Sequence, residues 1–246
     1  MILKIINSNS AGNAYILTNN KETLLIECGV SIKLIKRAID FNIHRVVACL
    51  VSHSHLDHCC AAKDIIKCGI KLYASHGTLE ALNLDLARNT YVIAAGKTYR
   101  IGSFKILPFD IKHDCIEPLG FLISHEETGN ILFLTDSFYV EYKFSNLHNI
   151  ILEANYAQEI LDEKTSDGTS QTFLRNRVMK SHMGLHTAIN LLKANDLSQV
   201  NNIVLVHLSD VHSDEAMFVR EVKNATGKKV TIADKNMEIE FNKTPI

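Results

Sequence analysis

Short apolar runs alternate with polar breaks along this chain, and the length of each run predicts a strand or a helix. Met1 to Ile6, Ala14 to Thr18 and Thr23 to Glu27 are β-patterned and follow one another closely. Between the first two lies Asn7-Ser8-Asn9-Ser10-Ala11-Gly12-Asn13, whose Asn and Gly residues tolerate left-handed backbone and predict a turn. Ser31 can cap a helix over Ile32 to Asp40, where Ile32, Ile35 and Ile39 share one face. The unbroken run Val46-Val47-Ala48-Cys49-Leu50-Val51 predicts a buried strand within Arg45 to Val51. A helix is expected over Cys59 to Cys68 and a strand over Ile70 to Tyr73. Further strands are expected at Phe104 to Phe109, Gly120 to Ser124, Ile131 to Leu134, Ile150 to Leu152 and Asn202 to Val206. Helical periods occupy Thr169 to Lys180, Leu185 to Ala194 and Ser213 to Lys223, and Glu127-Thr128-Gly129-Asn130 is a hairpin signal.

One arrangement recurs: an apolar strand ends and a metal-capable residue follows. It occurs at Val51/His53, Leu134/Asp136, Leu152/Glu153 and Val206/His207, and more loosely at Phe109/His113. Loops at strand ends, braced by a sheet, are where such folds build sites.

Composition narrows the class. With 246 residues, 3 prolines and no linker-like stretch, a single domain over 1–246 is expected. The net charge of -1 provides no general field for a long polyanion, although it allows a local basic patch. The 6 cysteines have no disulfide-scaffold spacing and are expected to be reduced and mostly buried. No secretory pattern or membrane-length apolar run is visible, so a cytoplasmic location without membrane association is expected.

The chemistry begins at Ser52-His53-Ser54-His55-Leu56-Asp57-His58. In an extended loop His53 and His55 point the same way and can bind one ion together. The turn into the next helix aims Asp57 and His58 towards a second ion. Imidazole and carboxylate donors suit zinc, manganese or iron. A plain histidine-rich surface loop is the competing reading; so many ionisable groups directly after a buried strand count against it.

This His-x-His-x-Asp-His run, with His113, Asp136 and His207 following in order, resembles the signature of the metallo-β-lactamase fold superfamily. The resemblance implies an α/β fold, a four-layer αββα sandwich, with the metals along one edge. It implies that His53, His55 and His113 hold one divalent ion and that Asp57, His58 and His207 hold another. Asp136 would bridge them, with a metal-bridging hydroxide as nucleophile. Zinc is the default from the ligand types, and manganese suits a bridging carboxylate.

Four further segments resemble the phosphodiesterase branch that holds the WalJ (YycJ) exonucleases and ribonuclease Z. They are Ser8-Asn9-Ser10-Ala11-Gly12-Asn13, His113-Asp114-Cys115-Ile116-Glu117-Pro118, Glu153-Ala154-Asn155, and Ser181-His182-Met183-Gly184 followed later by His207-Leu208-Ser209. A leaving alkoxide needs a proton, so His182 is expected to be the general acid, oriented by Glu153. Gly184 would open a helix whose free N–H groups favour a phosphate oxygen, and Arg175 and Arg177 could clamp phosphate. A solvated helix face is the equal alternative for the arginines.

There are departures from the branch pattern. Glu27-Cys28-Gly29 stands where the group has Asp-x-Gly, and Cys59-Cys60 follows His58. The two cysteines are soft donors, with helix packing preferred; His186 and His212 rank below the ligands. The favoured substrate is single-stranded nucleic acid; a cyclic nucleotide, in a phosphodiesterase of the anti-defence kind, is the alternative. A lactonase or thioesterase, which does not require Glu153 and His182, comes third. The resemblance also allows a homodimer.

Overall fold

The computed structural model describes residues 1–166, 168 and 172–244. The first sheet contains β1 (Ile2–Asn9), β2 (Gly12–Thr18), β3 (Thr23–Ile26), β4 (Val46–Leu50), β5 (Leu72–Ala74) and β6 (Thr90–Val92). The second contains β7 (Tyr99–Ile101), β8 (Phe104–Asp110), β9 (Leu119–His125), β10 (Gly129–Leu134), β11 (Leu147–Glu153), β12 (Asn202–Val206) and β13 (Val230–Ile232). The last strand, β14 (Met237–Glu240), returns to the first sheet and pairs antiparallel with β1, Ile2 opposite Glu240. The orders are β14-β1-β2-β3-β4-β5-β6 and β13-β12-β11-β10-β9-β8-β7.

The two faces of each strand explain why the sequence shows apolar runs rather than a clean alternation. Leu24 and Ile26 of β3 face the space between the sheets, as do Ile131 and Phe133 of β10 and Val204 and Val206 of β12. Leu25 packs outward under α1 (Ile32–Ala38), α3 (Ala62–Lys67) and α4 (His76–Ala81), with Ile35, Ile65 and Leu79 in the same cluster. Leu132, Leu152 and Leu205 pack outward with Leu192 of α7 (Leu185–Lys193) and Phe218 of α8 (Glu215–Thr226). Both faces are covered, so both must be apolar. The result is the expected α/β sandwich, helices–sheet–sheet–helices, and each buried Leu or Ile contributes about 1.5–3 kcal/mol.

Two local differences from the sequence reading bear on the site. The single helix expected from Cys59 is broken into α2 (Leu56–Cys59) and α3, because Ala61 N–H is drawn to the Cys28 carbonyl at 3.0 Å. The helix expected from Thr169 is α6 (Thr172–Ser181), preceded by an unexpected α5 (Gln158–Ser166); Thr169 lies outside the described residues. Strands β3 to β6 are mutually parallel, as are β10 to β13. Their carboxyl ends gather the candidate residues on one edge.

Candidate metal centre

The candidate site residues lie on the segments that follow strands, with Asp57 and His58 on α2, and several occupy unusual backbone conformations. Glu27 after β3 (φ 63°), Asp136 after β10 (φ 48°) and His207 after β12 (φ 54°) are all left-handed. Non-glycine residues adopt that region at a cost, which is typically tolerated where a side chain must be re-aimed at a site. Here the kink turns each side chain off the end of its strand.

The loop carrying His53 to His58 is clamped from below by Gly29. A Cβ at Gly29 would stand 1.6 Å from the Asp57 carbonyl oxygen, so only glycine admits this approach. Cys28 N–H also donates to the His58 carbonyl at 2.8 Å.

The expected ligands converge. One ligand atom each from His53, His55, His113 and Asp136 lie within 4.8 Å of one another, as do those of Asp57, His58, Asp136 and His207. Asp136 is common to both groups. Its Oδ2 lies 3.6 Å from His53 Nε2, 3.3 Å from His58 Nε2 and 3.6 Å from His113 Nε2. Asp57 Oδ2 is 3.3 Å from both His58 Nε2 and His207 Nε2.

Surrounding groups fix the rings. Ser52 Oγ lies 2.8 Å from His53 Nδ1, and His113 Nδ1 lies 2.9 Å from the Ser181 carbonyl, so the Nε2 atoms face the cluster. Glu27 reaches far enough despite replacing a shorter aspartate: its Oε2 is 3.6 Å from His58 Nδ1, and its carboxylate accepts Ser52 N–H at 3.2 Å. Asn13, from the first turn, approaches His58 Nε2 at 3.2 Å and Asp57 Oδ2 at 3.4 Å. Ser8 Oγ accepts His207 N–H at 3.1 Å, and Asn155 Nδ2 donates to the His207 carbonyl at 2.7 Å. Such outer partners orient ligands and tune them.

The electrostatics fit cations. Burial and the neighbouring His58 charge hold His53 well below its ordinary value, and its buried Nε2 has no hydrogen-bond partner. Burial works against charging His207, yet Asp136, Asp57 and Glu153 carry it up to about 10. Burial also opposes ionisation of Asp136, but the His207 and His58 charges hold it well below the carboxylate range. The cluster is thus a dense anionic focus that protons on imidazole balance, and divalent cations balance the same charge with the same N and O donors.

Beside this focus, His182 Nδ1 lies 2.7 Å from Glu153 Oε1, and its ring stacks on His207 with centroids 5.3 Å apart. Glu153 is fully buried; its Oε2 accepts N–H bonds from Ser137 and Met183, both 3.1 Å. Burial pulls His182 down, but the Glu153 charge outweighs it and raises the ring above its ordinary value.

The expected phosphate contacts fare differently. Arg175 is taken up by Asp162 of α5, with Nη2 to Oδ1 at 2.6 Å. Arg177 remains at the rim, its Nε 3.9 Å from Asp114, whose other oxygen is 3.3 Å from His113 Nε2. Gly184 does cap α7, but the adjacent amides are engaged. Met183 N–H holds Glu153, and Leu185 N–H donates to the Tyr156 carbonyl at 2.8 Å. The glycine instead makes room for Tyr156, whose ring a Cβ would meet at 2.9 Å.

Of the spare residues, His186 is exposed and bonded to Asn190, and buried His212 meets Ser209 at 3.3 Å, outside the clusters. Cys59 directs its thiol to the Ser54 and His55 carbonyls at 3.3 and 3.0 Å, and Cys60 is exposed. Sequence reasoning placed Glu117 in a family-like segment but gave it no role; its Oε2 accepts Gly77 N–H at 2.6 Å and so pins the loop after His113 to α4.

A family model described as "Beta-lactamase superfamily domain" matches residues 22–208, which hold every residue of the two ligand groups. The chain belongs to the β-lactamase superfamily.

Within this superfamily it is 27% identical over 223 residues to exodeoxyribonuclease WalJ of Streptococcus pneumoniae serotype 2 (strain D39), covering 83% of this chain and 80% of that protein. The metallo-β-lactamase fold protein YhfI from Bacillus subtilis superposes with a TM-score of 0.75 at 17% identity, over 97% of this chain and 98% of that one. Human tRNase Z, short form, gives 0.66 at 17% identity over 100% of both chains. These structures share the fold. As a β-lactamase superfamily member, the chain is a metal-dependent hydrolase. Among the described residues no helix is long and apolar enough to cross a membrane.

Proposed function

We propose that this chain, acting as one domain, is a two-metal phosphodiesterase that trims single-stranded nucleic acid in the manner of WalJ. The observation that carries the reading is the Glu153–His182 pair, 2.7 Å apart and stacked against a candidate ligand. Hydrolysis of a lactone or thioester has no need of it, whereas an alkoxide leaving a phosphodiester needs a proton donor.

His53, His55 and His113 would hold one divalent ion, Asp57, His58 and His207 the other, with Asp136 between. Zinc or manganese held there supplies Lewis acidity and an activated water. Glu153 fixes His182 through Nδ1–H and stabilises its protonated form, leaving Nε2 to deliver a proton to the leaving oxygen. Ser137 and Met183 amides keep Glu153 charged and aligned. Arg177, linked to His113 through Asp114, supplies positive charge at the rim.

The test is direct. Metal-free protein is reloaded with zinc or manganese and given a 5′-phosphorylated single strand and a panel of cyclic mononucleotides. Progressive shortening of the strand is expected. The near-balance of 26 basic and 27 acidic residues favours a short substrate as the second reading. Hydrolysis of a cyclic nucleotide without trimming would select it. Cleavage of neither by fully loaded protein would overturn both.

A further inference from the structure

The segment after Asp136 carries three exposed aromatic residues: Phe138 is 39% exposed, Tyr139 49% and Tyr142 45%. They are not there to fill the core. Val140 and Phe144, in the same segment, are buried among the residues beneath and already anchor it. Tyr142 leans edge-on against Phe109, centroids 5.8 Å apart. Among the described residues no aromatic ring packs on Phe138 or Tyr139.

These two rings are braced from the site itself. Phe138 N–H donates to the Lys112 carbonyl at 3.2 Å, and Ser137 Oγ accepts Lys112 N–H at 3.1 Å while donating to the Tyr139 carbonyl at 3.0 Å. Lys112 immediately precedes His113, and Phe138 lies two residues beyond Asp136. Two residues of extended chain span about 7 Å at most, so the backbone that carries Phe138 starts beside the ligand groups, with Tyr139 one residue further on. Lys112 Nζ lies 5.8 Å from the Tyr139 centroid and is paired with Glu141 at 2.5 Å, so it packs on the ring as part of a neutral ion pair. Exposed aromatic faces on backbone tied to a candidate phosphate-cleaving site are the elements of a base-stacking platform.

We propose that Phe138 and Tyr139 stack the nucleobase next to the scissile phosphate and so select base-bearing substrates. The proposal rests on the phosphodiesterase reading. The experiment separates the two. Loaded protein is assayed on thymidine 5′-(p-nitrophenyl phosphate) and on methyl p-nitrophenyl phosphate, which carry the same leaving group with and without a base. F138A and F138L are expected to raise KM about tenfold for the thymidine ester, leaving the methyl ester unchanged, and F138W is expected to restore the wild-type value.

The chain contains 0 tryptophans, so F138W also provides a single indole reporter. In metal-free protein, an oligothymidylate should quench it and an abasic strand of equal length should not. Normal KM for the thymidine ester in F138A, or equal quenching by both strands, overturns the platform while the phosphodiesterase reading stands. Hydrolysis of neither ester nor oligonucleotide by loaded wild-type protein removes that reading and the proposal with it. Conversion of a dimer to a monomer by F138A, with KM unmoved, makes the patch a contact between copies and also overturns it.

Discussion

Glu153 and His182 come together from the end of β11 and the turn between α6 and α7, with Oε1 and Nδ1 2.7 Å apart. Neither lies in the two expected ligand groups, which share Asp136; both stand with Asp136 and His207 in a third cluster of possible donors. Glu153 spends its second oxygen on two backbone amides, so the pair is anchored by backbone as well as by His207, whose Nδ1 lies 3.4 Å from Glu153 Oε1.

The first prediction follows from that backbone anchoring, which keeps Glu153 beside His207 when the His182 ring is removed. His182→Ala keeps the metal content of the wild type and slows turnover by about two to four orders of magnitude, the reach of acid catalysis. Elemental analysis alongside single-turnover assays checks it. Normal turnover would remove His182 as the acid.

Changing Asp57 or His58 to Ala has a different signature. Both lie in the second ligand group, so the variant should retain about one ion per chain where the wild type holds about two. Mass spectrometry of the native protein reads the difference, and an unchanged stoichiometry would count against the assignment.

Glu27 supports His58 from behind. Burial pushes its carboxyl up, and the neighbouring His58 works to bring it down. Glu27→Gln should weaken metal affinity about 10–100-fold, the usual effect of losing an outer partner. Zinc titration by calorimetry measures this, and an unchanged affinity would leave Glu27 with only its bond to Ser52.

Gly29→Ala tests the clamp beneath the loop. A Cβ 1.6 Å from the Asp57 carbonyl forces the His53–His58 loop to move. A loss of about 3 kcal/mol in urea denaturation is expected, with a matching fall in bound metal. A stable, fully loaded variant would show that the loop is free to shift.

The cysteines should prove inert. Burial pushes the Cys115 thiol up to about 12, and burial raises Cys60 as well. Thiols with raised values stay protonated at neutral pH and do not offer thiolate to a metal. The Cys59→Ser, Cys60→Ser double variant is expected to keep wild-type metal content.

Asp136 and His207 could be read from the sequence because each directly follows an apolar strand, and His53 to His58 because they cluster in one run soon after another. Glu27 could be seen as a departure, but not its reach, which depends on its left-handed backbone. Strands such as β6 and β7 escaped notice because each is three residues long and partly exposed, with no run to mark it. The Ser181 carbonyl and Met183 amide escaped for another reason: they act through backbone, so no residue type announces them. The Arg175–Asp162 pair could not be read from the sequence because Asp162 lies on α5, a helix without a strong apolar stripe.

The pairing of β1 with β14 has a consequence for how the protein is made. Ile2 meets Glu240, and the Ser8 hydroxyl waits for the His207 amide. Contacts this distant in sequence close late, since the intervening chain must first be ordered. During synthesis the first sheet therefore emerges with an open edge, and the His53–His58 loop is complete long before its last ligand leaves the ribosome. Asp57 and His207 are 150 residues apart in sequence, so the second ligand group can assemble only after β12 has been made.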